Sequence, residues 1–358
     1  MSHPRLLATA CLLGLGLLIP AQAEAGDALR LGVFAHYDLL RFDEAPAPLD
    51  DASFWRRGRV SLGGKFANGM DWKVEYDFVP DAWTDVYLRL PLAGGRLWLG
   101  QFKQPLGQEA LLSDKAALFT ESSVSGAFAP GRRLGVQYVR SQPWGTLAVS
   151  AYGRDIHDAG PDAGLGARWY RGFGDGASGL LHIGAAAAVE QPSSASLRLR
   201  VRPETGPKGG SWLSTGNLPL DRQTRYGLEA GWQHDRLLLQ GEWLGSRFDA
   251  PGGNHRSGDG GYLAAAWTLR GAPRVYKDGL FGTPEPGQSL LGAVELVARY
   301  SRLDLPLAGG GRTGQDAWTL GLNAQIGKYW RAMLDYTAAE DRSGRDATGW
   351  TLRAQFAF

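Results

Sequence analysis

The sequence predicts an all-β protein, a transmembrane antiparallel β-barrel of sixteen strands, and three observations support this prediction. Several segments alternate between apolar and polar residues, their apolar faces are framed by Trp and Tyr, and short turns alternate with long polar stretches. Outer-membrane barrels combine these features, because their walls face lipid outside and water inside, and because their periplasmic turns are short and their outer loops long.

The alternation is clearest in residues 71–79, where even-numbered residues are apolar and odd-numbered residues up to 77 are charged. Successive side chains of a strand point to opposite faces, so this segment has one apolar and one charged face. The next segment continues the pattern. One of its faces is formed by Ala82, Thr84, Val86, Leu88 and Leu90, and the other by Trp83, Asp85, Tyr87 and Arg89. The chain ends in a similar strand with an aromatic C-terminus, Phe358.

The same reasoning predicts an even number of strands, as in bacterial barrels, with both termini on the periplasmic side. The predicted strands are 28–39, 54–66, 71–79, 81–92, 96–103, 132–142, 146–155, 162–171, 180–191, 223–234, 235–248, 260–271, 290–302, 316–327, 329–340 and 347–358. Residues 195–202 also alternate, but a further strand would break the up-and-down order, so they are assigned to a long loop. The 272–289 connection is long for a periplasmic turn.

A soluble periplasmic β-sandwich or propeller is the alternative fold. Such a fold would bury its apolar faces, and Val and Ile would be prominent there. The chain instead has 13 Trp, and its polar faces carry charges at many successive positions. In lipid, only a closed barrel satisfies the backbone groups of such strands.

The N-terminus has the pattern of a signal peptide, residues 1–25, which leaves 26–358 as the barrel domain. Arg5 precedes an apolar run from Leu6 to Pro20, and small residues then permit cleavage after Ala23 or Ala25. The run is too short for a typical membrane-spanning helix, which disfavours a permanent anchor. Export to the outer membrane of a Gram-negative cell is the expected localisation, with outer-membrane lipid around the barrel.

Composition excludes several classes of function. Cys11 is the only cysteine, so the mature chain has neither disulfides nor thiolate metal sites, and no metal or cofactor is expected. The net charge is +2, which gives no reason to expect a nucleic-acid partner. Catalytic signatures such as GxSxG or a P-loop are absent from the sequence, and the histidines have no evident Ser partner, so an enzyme is not expected.

Basic residues in three places are candidates for a site. In the segment 54–62, Arg57 and Arg59 share the face opposite Val60 and Leu62, so they face the lumen if those residues face lipid. Arg56 then lies on the opposite face, near the loop end. Two guanidiniums about 7 Å apart on one strand face repel each other unless an anion or a carboxylate lies near them.

The second place is the long stretch 104–131, of the kind that often folds inward in porins and narrows the pore. Lys103 precedes it, Lys115 lies in its middle, and Arg132 and Arg133 follow it. It also contains the acidic residues Glu109, Asp114 and Glu121, which could pair with these cations and position them.

The third place is the run 196–202, in which Arg198, Arg200 and Arg202 share one face of an extended chain. Guanidinium groups bind phosphate oxygens in pairs and stay charged at any relevant pH. A charged run is more often a solvated surface. These runs fall on predicted lumen and loop positions, where basic rings set anion selectivity.

Several motifs resemble those of the phosphate-selective porin O and P family. They extend, in the family's order, over nearly the whole mature chain, and the glutamine-phenylalanine-lysine and glycine-arginine-arginine blocks are fairly specific. The matching segments are Phe54–Arg59, Trp72–Phe78, Gly100–Gly107, Ala129–Gln137, Ser178–Gly184 and Arg202–Glu204.

The resemblance implies a homotrimer of sixteen-stranded barrels with long outer loops and an inward-folded third loop. It also assigns roles by position: Arg56 and Arg57 match the paired arginines of the constriction, Lys103 and Lys115 match lysines of the third loop, and Asp85 matches an aspartate beside the site. The run Arg198, Arg200 and Arg202 resembles the family's arginine ladder. Arg59 stands where some members have an aromatic residue.

The expected function is passive diffusion of inorganic phosphate or similar anions through a water-filled, anion-selective channel. The residues expected to contact anions are Arg56, Arg57, Arg59, Asp85, Lys103, Lys115, Arg133, Arg198, Arg200 and Arg202. A general porin, a porin for pyrophosphate or organic anions, and a non-conducting structural barrel are the alternatives.

Overall fold

The computed structural model describes residues 29–46, 49–158, 162–175, 179–206, 211–285 and 289–358, and in these residues sixteen antiparallel strands form one closed barrel. The barrel strands are β1 (Arg30–Glu44), β2 (Ala52–Lys65), β3 (Asp71–Asp77), β4 (Ala82–Leu92), β5 (Gly95–Lys103), β6 (Arg132–Gln142), β7 (Gly145–Tyr152), β8 (Ala163–Asp175), β9 (Gly179–Gln191), β14 (Arg222–His234), β15 (Leu237–Asp249), β16 (His255–Arg270), β19 (Leu291–Pro306), β20 (Arg312–Ile326), β21 (Trp330–Asp341) and β22 (Asp346–Ala357). The described parts of the connections contain six short strands: β10 (Ser196–Leu197), β11 (Arg200–Val201), β12 (Leu213–Ser214), β13 (Leu218–Pro219), β17 (Arg274–Lys277) and β18 (Leu280–Pro284).

The first and last strands close the barrel. β1 pairs with β22, and beyond that ladder the backbone N–H of Phe358 donates to the carbonyl of Val33 over 2.9 Å. Every strand of the barrel therefore has two neighbours, as lipid requires of a membrane-spanning sheet. The sixteen predicted strands are confirmed, and their ends differ from the prediction by at most five residues.

The two faces of the wall differ as the alternation predicts. Leu263 and Trp318 on the outer face are 69 % and 60 % exposed, whereas Asp335 and Thr337 on the inner face are each 1 % exposed. The inner side chains are buried because connecting segments fill much of the lumen. We call the end of the barrel with both chain termini the terminus end, which is periplasmic by the usual rule, and the other end the loop end.

The prediction for β4 is wrong at its start, because a register shift lies between its pairings with Val74 and Tyr76 of β3. The shift turns Trp83 outward, where its ring lies 4.9 Å from that of Tyr76. Thr84 turns inward and its hydroxyl donates to Oε1 of Glu75 over 2.7 Å. Such a bulge adds one residue to a strand, so alternation in the sequence cannot be carried through it.

Residues 192–221, here called L5, connect β9 to β14 and contain the alternating run 195–202. The run pairs within L5 itself, β10 with β13 and β11 with β12, and lies outside the barrel sheet. Its assignment to a loop is therefore confirmed. Its apolar residues Leu199 and Val201 pack in a cluster with Phe128 and with Leu244 of the wall.

The long 271–290 connection contains a hairpin, β17–β18, that packs inside the barrel through side chains such as Arg274 and Phe281. Phe281 of this hairpin is 2 % exposed and packs in a cluster that includes Leu118 and Phe119. A Cβ atom at Gly231 would lie 2.4 Å from the Phe281 ring, so the wall needs glycine at this position to admit it. This connection is therefore longer than a usual periplasmic turn because it contains a hairpin that fills part of the lumen.

The predicted signal peptide and its cleavage sites lie outside the described residues. Among the residues that the structure describes, no helix is long and apolar enough to cross a membrane.

Candidate functional site

Residues 104–131, here called L3, fold into the lumen as predicted. L3 contains one helical turn, α1 (Gln108–Leu111), and two short 3₁₀ turns. Its start is held by Glu242 of β15, whose carboxylate accepts the backbone N–H groups of Gln108 over 2.6 Å and of Glu109 over 3.2 Å. Four strands further round the barrel, Asp335 of β21 accepts the N–H and hydroxyl of Thr120. Two wall carboxylates, on strands remote from β5 and β6, therefore fix L3 in the lumen.

Arg299 of β19 joins L3 to L5. Its guanidinium is buried, donates to Glu109 over 3.2 Å and to Glu204 of L5 over 2.6 Å, and lies 4.3 Å above the Phe119 ring. Glu204 also accepts the N–H of Val124 over 2.7 Å. The Arg202–Glu204 motif thus supplies a carboxylate that positions both lumen segments, a role that sequence reasoning did not assign.

The arginines of β2 all point into the lumen, which corrects the prediction that Arg56 lies on the opposite face from Arg57. The register between β1 and β2 shifts so that His36 pairs with Arg57 and Tyr37 with Trp55. Arg56 is the extra residue of this bulge, and its side chain turns inward to the carboxylate of Glu121 in L3. A bulge is what allows two successive side chains of one strand to share a face.

Carboxylates lie beside all three arginines of β2. Arg56 binds Glu121 through two hydrogen bonds, of 2.8 and 3.0 Å. Asp114 of L3 lies 3.2 Å from Arg57 and 2.7 Å from Arg59, and Arg59 also binds Asp77 over 2.8 Å. The repulsion expected between neighbouring guanidiniums is thus relieved within the protein, by carboxylates of L3 and of β3.

Two carboxylates of L3, Asp114 and Glu121, stay ionised in this setting. Burial alone would raise the pKa of Asp114, but the guanidiniums of Arg59 and Arg57 hold that pKa well below its usual range. Burial is likewise outweighed at Glu121, where the guanidinium of Arg56 lowers the pKa to about 2.

Two lysines near the arginines of β2 differ from them in having no carboxylate partner among the described residues. The ammonium of Lys103 donates to the carbonyl of Leu112 over 2.6 Å, and the ammonium of Lys115 lies 5.8 Å from the centre of the Phe34 ring. Arg59 lies over the same ring, at 5.7 Å. In the part of the chain that the structure describes, neither lysine has a carboxylate oxygen within 4.0 Å.

Asp85 lies beside this group as a carboxylate that binds cations. It accepts from Lys73 over 2.9 Å and from Arg132 over 2.7 Å, and Lys73 also binds Glu75. Its geometry suits the positioning of two neighbouring cations, whereas direct contact with an anion would be repulsive.

The structure brings together Arg56, Arg57, Arg59, Lys103 and Lys115, which we call the constriction cluster. Arg133 is held elsewhere, 3.7 Å from Glu190 of β9. Glu190 binds Arg225 more closely, over 2.7 Å.

Arg198, Arg200 and Arg202 lie in L5, and all three are exposed. Arg198 donates to the hydroxyl of Ser214 over 2.9 Å. They share the exposed face because the intervening Leu199 and Val201 turn into the apolar cluster, as the alternation predicted.

Sequence reasoning missed several residues of the site. Arg353 of β22 binds Asp38 of β1 through two hydrogen bonds, of 2.7 and 2.6 Å, and also lies 3.3 Å from Glu121. Arg353 and Lys73 lie on the polar faces of their strands. The partner of Arg353, Asp38, comes from the first strand, whereas Lys73 binds Glu75 of its own strand and Asp85 of the next one. The sequence feature that could have indicated these residues is a charge on a strand face predicted to line the lumen.

The comparisons with known proteins agree with this architecture. The model of the family "Phosphate-selective porin O and P" matches residues 29–358. An uncharacterized protein of Caulobacter vibrioides is 28 % identical over 305 residues, which are 78 % of this chain but only 61 % of that longer protein.

Solved outer-membrane structures have a similar fold. OmpTdeltaL8 of Vibrio cholerae has a TM-score of 0.64 at 13 % identity, over 93 % of this chain and 100 % of that one. An anion-selective porin from Comamonas acidovorans has a TM-score of 0.60 at 12 % identity, again over 93 % and 100 %. The outer-membrane channel DcaP of Acinetobacter baumannii has a TM-score of 0.57 at 13 % identity, over 95 % and 100 %.

The family match covers the barrel from before its first strand to its last residue, including L3 and L5. A closed sixteen-stranded wall with polar groups inside is the architecture of an outer-membrane channel. The chain belongs to the phosphate-selective porin O and P family.

Proposed function

We propose that the protein is an anion-selective porin through which phosphate and related anions diffuse passively across the outer membrane. The observation that carries this proposal is the pair of lysines in the constriction cluster, Lys103 and Lys115. The cluster's arginines are balanced by carboxylates, whereas these two ammonium groups have no carboxylate within 4.0 Å in the described structure. They give the narrow part of the lumen an excess of positive charge.

Charges of this kind select anions by replacing part of their hydration shell. An anion beside L3 would meet the ammonium groups first and would compete with Asp114 for Arg57 and Arg59. That competition keeps binding weak, which is needed for an anion to leave as well as to enter. The exposed arginines of L5, Arg198, Arg200 and Arg202, would collect anions at the loop end.

The proposal includes three points about the mature protein. The signal peptide 1–25 is removed on export, the barrel assembles as a homotrimer, and transport involves no covalent chemistry. A Vibrio cholerae OmpT structure is described as a trimer form, which supports the second point by likeness of fold alone.

The test is ion selectivity and phosphate block in planar bilayers. Replacing both lysines, Lys103→Gln with Lys115→Gln, should reduce the preference for anions and raise the phosphate concentration needed for block. Lys328→Gln is the matched control, because Lys328 is an exposed lysine in the turn between β20 and β21. If the double variant conducts with unchanged selectivity and unchanged phosphate block, the assignment to these lysines is wrong.

A further inference from the structure

A second feature of the lumen lies between the constriction cluster and the terminus end. It is a cavity of about 1080 Å³, which we call the vestibule. The residues that line it extend from Arg30 and the Gly94–Gly95 turn, at the rim of the terminus end, to Lys103 beside L3. The β17–β18 hairpin contributes Lys277 and Leu280 to the lining. The vestibule is far larger than an inorganic phosphate ion.

One side of the vestibule is aromatic. The ring of Trp98 lies 5.0 Å from that of Tyr87 and 5.5 Å from that of Phe102, and all three residues line the cavity. The inward face of a porin wall is normally polar, so an aromatic group there needs an explanation. Nε1 of Trp98 is buried without a hydrogen-bond partner in the described structure, although a buried indole N–H usually has one.

An arginine completes this aromatic surface. The guanidinium carbon of Arg89 lies 4.7 Å from the centre of the Trp98 ring and 5.3 Å from that of Tyr87. Arg89 is held by the carboxylate of Asp71, which also binds Arg96 over 2.6 Å. Stacked guanidinium and aromatic planes are a surface on which flat organic groups bind.

Basic residues of the lining outnumber acidic ones, eight to three. Lys103, Lys277 and Arg30 all line the vestibule, and in the described residues none of them has a carboxylate oxygen within 4.0 Å. The acidic residues of the lining include Asp85 and Asp278, of which Asp85 is already bound to Lys73 and Arg132. The vestibule therefore offers positive charge and an aromatic surface within one cavity.

We propose that the vestibule binds organic phosphates whose organic part is flat and apolar, of which aryl phosphates are the simplest. This inference rests on the proposed anion selectivity and extends it to a substrate class. The phosphate group would lie toward Lys103 and the flat group against Trp98 and Tyr87. Stacking on an aromatic side chain should strengthen binding roughly tenfold over an organic phosphate without a ring.

The experiment compares inorganic phosphate, methyl phosphate and phenyl phosphate as blockers of single-channel current, added at the terminus end of the unmodified protein. Methyl and phenyl phosphate have the same anionic group, so their difference isolates the ring. Phenyl phosphate should block at a roughly tenfold lower concentration than methyl phosphate. Trp98→Leu should remove that difference, whereas Trp318→Leu, a change on the exposed outer face, should preserve it.

The outcomes separate this inference from the proposed function. Equal block by phenyl and methyl phosphate would overturn the inference and leave the anion channel intact, while the absence of block by all three would overturn both. A Trp98→Leu variant that keeps the phenyl preference would also overturn the inference. Since the main comparison uses the unmodified protein, it does not depend on whether the variant folds, and Tyr87→Leu is a second test of the same surface.

Discussion

Arg59 of the barrel wall and Asp114 of L3 lie 2.7 Å apart, and their ion pair joins the two sides of the constriction. The same carboxylate reaches Arg57 over 3.2 Å. Asp114 therefore both holds L3 against β2 and cancels part of the positive charge that an entering anion would meet.

Asp114→Asn should increase the preference for anions, because it leaves Arg57 and Arg59 with one carboxylate fewer. The electrostatic energy between two unit charges about 4 Å apart in water is about 1 kcal/mol. The ratio of anion to cation permeability should therefore change by up to about fivefold. The measurement is the reversal potential in a KCl gradient. Asp51→Asn is the control, since Asp51 is a half-exposed carboxylate outside the lumen that pairs with Arg41. A lower anion preference in Asp114→Asn would contradict the assignment.

Arg299→Met should loosen L3 and L5 together. Removing one partner of a buried ion pair costs about 3–5 kcal/mol, and here Glu109 and Glu204 would lose their cation. We expect a larger and noisier single-channel current, from a barrel that still resists denaturation by detergent. Arg302→Met is the control on the same strand, because Arg302 is exposed and lies 4.0 Å from its nearest carboxylate. An unchanged current in Arg299→Met would show that Arg299 does not set the aperture.

The effect of Asp114 on selectivity should be nearly constant as pH falls from about 7 to about 4, although free carboxyl groups protonate near the end of this range. The pKa of Glu121 is lowered to about 2, and that of Asp114 is also lowered, so both stay charged. A carboxyl group whose pKa is lowered by folding stabilises the protein fully at pH values above its pKa in the unfolded chain. This stabilisation is lost as pH falls toward the pKa of the group in the folded protein. The contact of L3 with β2 should therefore weaken only below pH about 4. The measurement is the difference in selectivity between the unmodified protein and Asp114→Asn at each pH, and its loss with a midpoint near pH 4.5 would contradict these pairings.

Phe281→Ala should release the β17–β18 hairpin from the lumen. Truncating a buried Phe costs about 3–5 kcal/mol, and Phe281 packs in one cluster with Leu118 and Phe119 of L3. Limited proteolysis should then cut within 271–285, with the sixteen barrel strands left intact. Val275→Ala, in the same hairpin, is the control because Val275 is 41 % exposed. Equal protease resistance of both variants would argue against a hairpin held by Phe281.

The sequence predicted the barrel well because its wall is set by a local rule. Each strand must be apolar toward lipid and polar inside, and that requirement appears as alternation at every position of segments such as 71–77. Predictions failed where one residue is inserted into this pattern. Arg56 and Trp83 were each assigned to the wrong face, because a bulge at the neighbouring position is not visible in alternation.

The site was less predictable, because its contacts join segments that are far apart in the chain. Lys103 and Lys115 were expected near the constriction, but their lack of a carboxylate partner depends on where Asp114 and Glu121 point. Arg353 reaches Asp38 only because the last strand closes on the first. The hairpin in 271–290 had no signal beyond its length, since its lumen position depends on tertiary packing against Gly231 and L3.

The central claim is that the constriction has an excess of positive charge. The most direct measurement is the reversal potential of the purified, unmodified protein in a planar bilayer under a KCl gradient. A potential of the sign set by chloride, which moves toward zero as phosphate is added, is the predicted result. A potential of the sign set by potassium would contradict the claim, because it would mean that the carboxylates of L3 outweigh Lys103 and Lys115.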